Sequence, residues 1–284
     1  MLDIVIPVYN AAGLVRRCLT SVGATTSAKQ HRILVVDDGS DRCTQDVIAS
    51  FAASRPNVVV LRNPQSSGFC KAANRGMRES SAPVVIILNS DTEVSVGWHS
   101  KIVKVLLTTP GVGIAGPLSN AASHQSIPRA TPNITERIQR QTAINTLPMG
   151  MSVETVNSFL EARALETPVR VPLVHGFCFA IRKRVIESIG YFDEERFPRG
   201  YGEENDYCLR AADAGWGLAL ATDTYVWHEK SASYNTDERA QLTARGSDAL
   251  KARYGNQRIA TAIAAMEATA KLLSFRTEEL NHVH

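Results

Sequence analysis

The residues able to do chemistry fall in polar clusters, each just after an apolar or aromatic run. Asn89-Ser90-Asp91 follows Val84-Val85-Ile86-Ile87-Leu88. It offers a neutral oxygen and a carboxylate two positions apart. Hard oxygen ligands of this kind suit Mg²⁺ or Mn²⁺ bridging a diphosphate. Asp37-Asp38-Gly39-Ser40 follows Val35-Val36, and a carboxylate there can accept from a base N–H or from ribose hydroxyls. Glu203, Glu204 and Asp206 crowd a helix start after Tyr201-Gly202. One of them is a candidate general base. Asp206 and Arg210 stand four apart and can pair on one helix face. That pairing leaves Glu203 or Glu204 to face a ligand. His228 follows Trp227, and His175 precedes Gly176.

Each cluster taken alone has a plainer account. Asp, Gly and Ser are common turn formers, and an isolated Asn-x-Asp is one more turn. Carboxylates at a helix start are favoured by the helix dipole. A lone histidine is more often structural than a metal ligand. Three such clusters, each following an apolar or aromatic run, point instead to one site assembled at one edge of a sheet.

The elements that must position them are legible as hydrophobic patterns. Residues 2–8 form a β-branched strand, and Leu14, Val15, Cys18, Leu19 and Val22 a helical stripe. Strands at 32–36, 58–61 and 84–88 alternate with helices marked by Val47, Ile48 and Phe51 and by residues 68–78. A helix at 98–107 and a strand at 112–115 follow. Apolar strands separated by helices predict a mainly parallel α/β sheet covered on both faces. Ligands then bind beyond the carboxyl ends of the strands. The pattern breaks from 117 to 172, a Ser-, Asn-, Thr- and Pro-rich stretch with helical pieces at 136–141 and 153–164. Long irregular insertions of this kind are commonly functional loops. A strand at 171–181, helices at 184–189 and 203–214, and short strands at 216–221 and 224–227 complete the alternation. After Ser231 the chain reads as helical, with Ile259, Ile263, Met266 and Leu273 on one face and Asn256 as N-cap.

Bulk properties narrow the class. The chain has 284 residues, 44% hydrophobic and 21% charged, with 31 basic and 28 acidic residues. A net charge of +3 is too balanced to argue for nucleic acid or an anionic membrane as the main partner, and no nucleic acid is expected. Cys18, Cys43, Cys70, Cys178 and Cys208 are scattered and odd in number, as expected of reduced thiols in a cytoplasmic protein. The first residues enter a strand at once and do not read as a signal peptide. No apolar stretch approaches the roughly 18 residues of a membrane span. Any membrane contact is peripheral.

Taken in order, segments 4–10, 36–40, 88–94, 176–194, 201–210 and 228–233 resemble family-2 glycosyltransferases of the GT-A fold. The resemblance covers roughly residues 1–234. Segments 88–94 and 117–120 are similar to the bacterial rhamnosyltransferase-like group that builds surface polysaccharides. It implies a GT-A catalytic domain over 1–230, with 117–172 an acceptor-side insertion, and a helical extension over 231–284. It also implies roles. Pro7, Tyr9, Asn10 and Asp38 would line a nucleoside pocket, walled by Asn63 and Gly68. Asn89, Ser90 and Asp91 match the family's D-x-D motif, with Asp91 as metal ligand and His228 as a second. Glu204 matches the catalytic base, beside Glu203, and Gly176 begins a loop near donor sugar and acceptor. Two departures stand out: Asn89 replaces a common Asp, and the base is Glu rather than Asp.

The implied activity is inverting transfer from a UDP- or dTDP-linked sugar to a glycan or lipid-linked glycan, with Mg²⁺ or Mn²⁺. It would take place in the cytoplasm, at the inner face of the cell membrane where the acceptor is lipid-linked. Two other classes stay open. One is an inert nucleotide-sugar-binding scaffold, disfavoured by the intact Glu204, Asp91 and His228 set. The other is a sugar nucleotidyltransferase, disfavoured because Asn10-Ala11-Ala12-Gly13 is no Gly-rich basic loop. The stripe after Ser231 must be buried. Its Ala-rich face favours packing within the protein, then a homodimer, then a membrane surface.

Overall fold

In the computed structural model, which describes residues 2–138, 142–230 and 236–281, strands and helices alternate through the first half. The order is β1 (Leu2–Val8), α1 (Ala12–Thr25), β2 (His31–Asp37), α2 (Arg42–Ala53), β3 (Val58–Arg62), α3 (Phe69–Glu79) and β4 (Val84–Leu88). Then come β5 (Thr92–Val94), α4 (Trp98–Thr108), β6 (Val112–Leu118), α5 (Ile134–Ile138), α6 (Val153–Ala162), β7 (Val169–Arg170) and β8 (Cys178–Arg182). The chain continues with α7 (Lys183–Ile189), α8 (Glu203–Asp213), β9 (Gly217–His228), α9 (Thr236–Tyr254) and α10 (Asn256–Arg276).

The strands lie in the order β3-β2-β1-β4-β8-β6-β9-β5, with β7 on β9. β1 to β4 are parallel, as are β6 and β9. β8 runs antiparallel to both β4 and β6. Two reversals restore direction, so β9 ends at the same edge as β4. β8 begins there, with Cys178 opposite Leu88. One edge therefore collects the carboxyl ends of β1, β2, β4 and β9 and the segment just before β8. The mixed α/β sheet, whose parallel pairings hold most of its paired residues, matches the expected fold class.

Side chains alternate across the sheet. Ile4, Ile6 and Val8 join Val15, Leu19, Ile48, Trp98 and Ile102 in one apolar core. Val5, Leu34, Val85 and Ile87 join Ala72, Val156, Val185, Tyr207 and Met266 in the other. Both faces are thus covered by helices.

Some expected elements differ. The run 171–181 pairs as a β8 strand only from Cys178. Val171, Val174 and Phe177 are apolar because they are buried, not because they form a strand. The two strands at 216–221 and 224–227 are one, β9. Its register jumps from Ala221 opposite Pro117 to Tyr225 opposite Leu118, so the polar residues between them form a bulge rather than a turn. β5 and β7, three and two residues long, carry too little pattern to read in sequence. Asn256 is the first helical residue; its predecessor Gly255, at φ 79°, caps the helix instead. Residues 139–141 of the expected helix 136–141, and residues 231–235 at the start of the extension, lie outside the described residues.

The extension packs back on the core. Leu250, Met266 and Leu273 are buried in it, while Ile263 is 41% exposed and lines the cleft described below. Arg258 pairs with Asp213, and Arg276 donates to the Arg163 carbonyl. The cysteines are free thiols, buried apart from Cys43. Among the described residues, no helix is long and apolar enough to cross a membrane.

Candidate active site

A cleft of about 1540 Å³ opens along the collecting edge of the sheet. Pro7, Tyr9, Asp38, Gly68, Asn89, Ser90, Asp91, Gly176, Glu203, Glu204 and His228 all line it. Of the expected site residues, Asn10 and Asn63 stand behind its wall. Asn10 donates its backbone N–H to Ser40 Oγ and accepts at Oδ1 from the Asp41 N–H, tying the β1 loop to the β2 loop. Asn63 donates to Asp38 Oδ1 and accepts from Arg75.

Asp38 also differs from expectation. Its carboxylate accepts from Asn63 Nδ2, from the hydroxyls of Ser66 and Ser67, and from the Ser67 and Gly68 N–H groups. It organises the loop 63–68 that leads into α3, rather than presenting free lone pairs. Gly39 makes this approach feasible: at φ 75°, a Cβ there would meet the Gln65 backbone at 2.6 Å. Asp37 is buried and holds Arg62 Nε at 2.8 Å and the Ser40 N–H at 2.9 Å, a structural role. Tyr9 is 46% exposed at the cleft, a planar ring with a free face.

At the ends of β4 and β9, Asp91 Oδ1 lies 3.4 Å from His228 Nε2. His228 Nδ1 sits 3.2 Å from the Ala121 carbonyl oxygen. A carbonyl only accepts, so Nδ1 donates to it, and Nε2 faces the Asp91 carboxylate and the cleft. The ring stacks on Phe177, centroids 5.4 Å apart at 16°. Asn120 clamps the His228 backbone, accepting from its N–H at 2.7 Å and donating to its carbonyl at 3.0 Å. Burial works to raise the Asp91 carboxyl, but the imidazole beside it prevails and holds it below the ordinary value. Asn89 Nδ2 is 3.5 Å from His228 Nε2, and Asn89 Oδ1 is buried without a partner. This donor set fits a divalent cation: a carboxylate, an imidazole nitrogen beside it and an unpaired amide oxygen. Among the described residues, no three His, Cys, Asp or Glu side chains converge into a cage. An ion there would take its remaining ligands from phosphate and water.

Across the cleft, Gly200, Tyr201 and Gly202 have φ of 88°, 69° and 133°. This left-handed run turns the chain into α8, whose first two residues are Glu203 and Glu204. Glu203 Oε2 accepts from the Gly202 N–H at 3.0 Å. Glu204 Oε2 is buried without a partner. Burial pushes both carboxyls up, Glu203 well above the ordinary value because the Glu204 charge adds repulsion. Asp206 is occupied as the i, i+4 spacing suggested, 2.8 Å from Arg210 Nε. Gly176 packs on this side, where a Cβ would lie 3.3 Å from Glu204 Cβ.

Glycosyl transferase family 2 matches residues 3–190, about two thirds of the chain. The chain belongs to that family. It is 25% identical over 227 residues to the glycosyltransferase AglE of Haloferax volcanii, covering 80% of this chain and 66% of that protein. The family's fold is matched in space too. GalNAc-T7, solved with UDP, GalNAc and Mn²⁺, superposes with a TM-score of 0.63 at 18% identity, over 88% of this chain and 47% of that one. The mannosyltransferase PcManGT from Pyrobaculum calidifontis, solved with GDP-Man and Mn²⁺, superposes at 0.57 and 15% identity, over 99% and 85%. The chain therefore has the GT-A fold, and spans about two thirds of AglE and about half of GalNAc-T7.

Sequence reasoning passed over parts of this site. Asn120 carried the same signal as Asn89, an Asn just past an apolar strand, but was read only as part of the resemblance. Gln125, whose Oε1 accepts from the His175 N–H at 2.6 Å, carried none. Ala244, Leu250 and Ile263 of the C-terminal helices wall the cleft, which only the packing reveals.

Proposed function

We propose that this family-2 protein is an inverting, metal-dependent glycosyltransferase. It moves a sugar from a UDP- or dTDP-linked donor to a glycan or lipid-linked glycan acceptor in surface polysaccharide synthesis. One observation carries the reading. The unpaired Glu204 carboxylate oxygen and the Asp91–His228 pair face one cleft from opposite elements. A base on one side and a diphosphate anchor on the other is what in-line displacement at an anomeric carbon requires.

Glu204 accepts the acceptor hydroxyl proton as that oxygen bonds to the anomeric carbon. The bond from that carbon to the diphosphate oxygen breaks, and its electron pair leaves with the nucleoside diphosphate. Asp91 and His228, with Asn89, would hold Mg²⁺ or Mn²⁺, which supplies charge stabilisation to the leaving diphosphate. Mn²⁺ beside nucleotide in GalNAc-T7 and PcManGT supports that assignment. Tyr9 offers a ring for stacking on the base, and the Asp38-ordered loop shapes the pocket around it. Segments 88–94 and 117–120 favour the rhamnosyltransferase-like group. The scaffold reading is weakened by the raised Glu204 carboxyl with one unpaired oxygen, which a passive binder does not need.

The test is a panel of UDP-, dTDP- and GDP-linked sugars with Mn²⁺ or Mg²⁺. Binding of at least one donor and slow release of nucleoside diphosphate are expected. Pyrophosphate formation would assign a nucleotidyltransferase, and binding without turnover on any acceptor a scaffold.

A further inference from the structure

His175 lies between the two halves of the candidate site and belongs to neither. Its ring centroid is 6.3 Å from that of His228, edge to face, and 5.7 Å from that of Phe177. Its backbone is fixed from behind. The His175 N–H donates to Gln125 Oε1, and Gln125 Nε2 donates to the Pro117 carbonyl at 2.9 Å. Gln125 is fully buried, so this support is rigid. The next residue, Gly176, abuts Glu204. The His175-Gly176 step thus spans the gap between the metal-side histidine and the base.

The imidazole lines the cleft, and its Nδ1 is buried without a partner. Buried polar atoms are nearly always paired, so an orphan in a cleft asks for a ligand atom. Among the described residues, two others share the cleft, Asn89 Oδ1 and Glu204 Oε2, and both already have proposed partners. A neutral imidazole has one donor and one acceptor nitrogen, the complement of a hydroxyl group.

In an in-line displacement the transferred sugar sits between the diphosphate and the base. We infer that His175 hydrogen-bonds a hydroxyl of that sugar and so helps select the donor. This rests on the proposed function, which places the diphosphate at Asp91 and His228 and the base at Glu204. The ring is a specificity-determining contact, not a third metal ligand.

The experiment compares UDP and UDP-glucose, UDP-N-acetylglucosamine, dTDP, dTDP-rhamnose, GDP and GDP-mannose as Mn²⁺ complexes. Calorimetry on the full chain measures each against the parent, His175→Phe and His175→Asn. Phe keeps the packing on Phe177 but removes both polar nitrogens, whereas Asn keeps a donor and an acceptor. For the sugar nucleotide the parent prefers, His175→Phe should weaken binding about five- to tenfold, the worth of one or two hydrogen bonds. Binding of the matching nucleoside diphosphate should not change, and His175→Asn should recover part of the loss. Equal weakening for nucleotide and sugar nucleotide would overturn the inference, since His175 would then act on the metal or on folding. Unchanged sugar-nucleotide affinity in His175→Phe would overturn it as well. A folded parent that binds none of these compounds would instead remove the proposed function on which the inference stands.

Discussion

Arg253 Nη1, on the C-terminal helix α9, lies 2.9 Å from Asp206 Oδ1, on the helix that carries Glu203 and Glu204. Tyr254 OH reaches the same oxygen at 2.8 Å, and Arg210 Nε holds the other at 2.8 Å. Nearby, Gly246 of α9 touches the backbone of Tyr201, so closely that any Cβ would overlap the Tyr201 carbonyl oxygen. The extension therefore braces the turn and the helix that present Glu203 and Glu204.

Arg253→Ala should destabilise the chain by about 1–2 kcal/mol, since Asp206 is buried but keeps two other partners. Chemical denaturation at neutral pH measures it. Deleting the residues after Ser231 should give insoluble or unstable protein. A truncated chain that is stable and monomeric would contradict the bracing role.

Glu204→Gln should leave donor binding nearly intact and lower turnover by about 10² to 10⁴, the usual range for a lost general base. Glu203→Gln should be milder, because Gln can still accept from the Gly202 N–H. Steady-state kinetics with one donor and acceptor pair decides it. The reverse order would assign Glu203 as the base.

The same pair sets a pH dependence of stability. Burial holds the Glu203 carboxyl well above 4.5 in the folded chain, and the Glu204 charge holds it higher still. The folded state then binds more protons than the unfolded state. The contribution is fully present below pH 4.5 and is lost as pH rises through the raised native value. Glu203→Gln mimics the protonated form and escapes that loss. Its melting temperature should match the parent's near about pH 4 and exceed it increasingly toward about pH 8. A constant gap across that range would argue that the carboxyl is not held protonated.

Asp91→Ala and His228→Ala should each weaken metal-dependent nucleotide binding, and excess chelator should abolish turnover. Asn120→Ala should lower metal affinity by about 10- to 100-fold, the usual scale for a group that orients a metal ligand. Its side chain grips His228 through the backbone alone, and its Oδ1 also accepts from Ser119 Oγ at 3.2 Å. Titration with Mn²⁺ in the presence of nucleoside diphosphate separates these effects. Full activity in chelator would return His228 to a structural role.

Apolar periodicity over β1 to β4 determined the parallel half of the sheet, because strands buried on both faces must be continuously apolar. The polar residues after β1, β2 and β4 then had to gather at one edge, and Pro7, Tyr9, Asp38, Asn89, Ser90 and Asp91 were legible there. The carboxylates after Tyr201-Gly202 likewise marked a helix start. Tertiary structure alone decided the rest. Nothing local says that β8 reverses between β4 and β6, yet that reversal returns β9 to the direction of β4 and sets His228 beside Asp91. Nor does the sequence show that Asp38 spends its lone pairs on the loop 63–68, or that an Asn120 amide grips the His228 backbone. The apolar stripe of α10 demanded burial, but a stripe does not name its partner. Only the close approach of Gly246 to Tyr201, and of Arg253 to Asp206, makes the C-terminal helices part of the site. Such contacts join residues about 45 positions apart in the chain or more, and no local propensity records them.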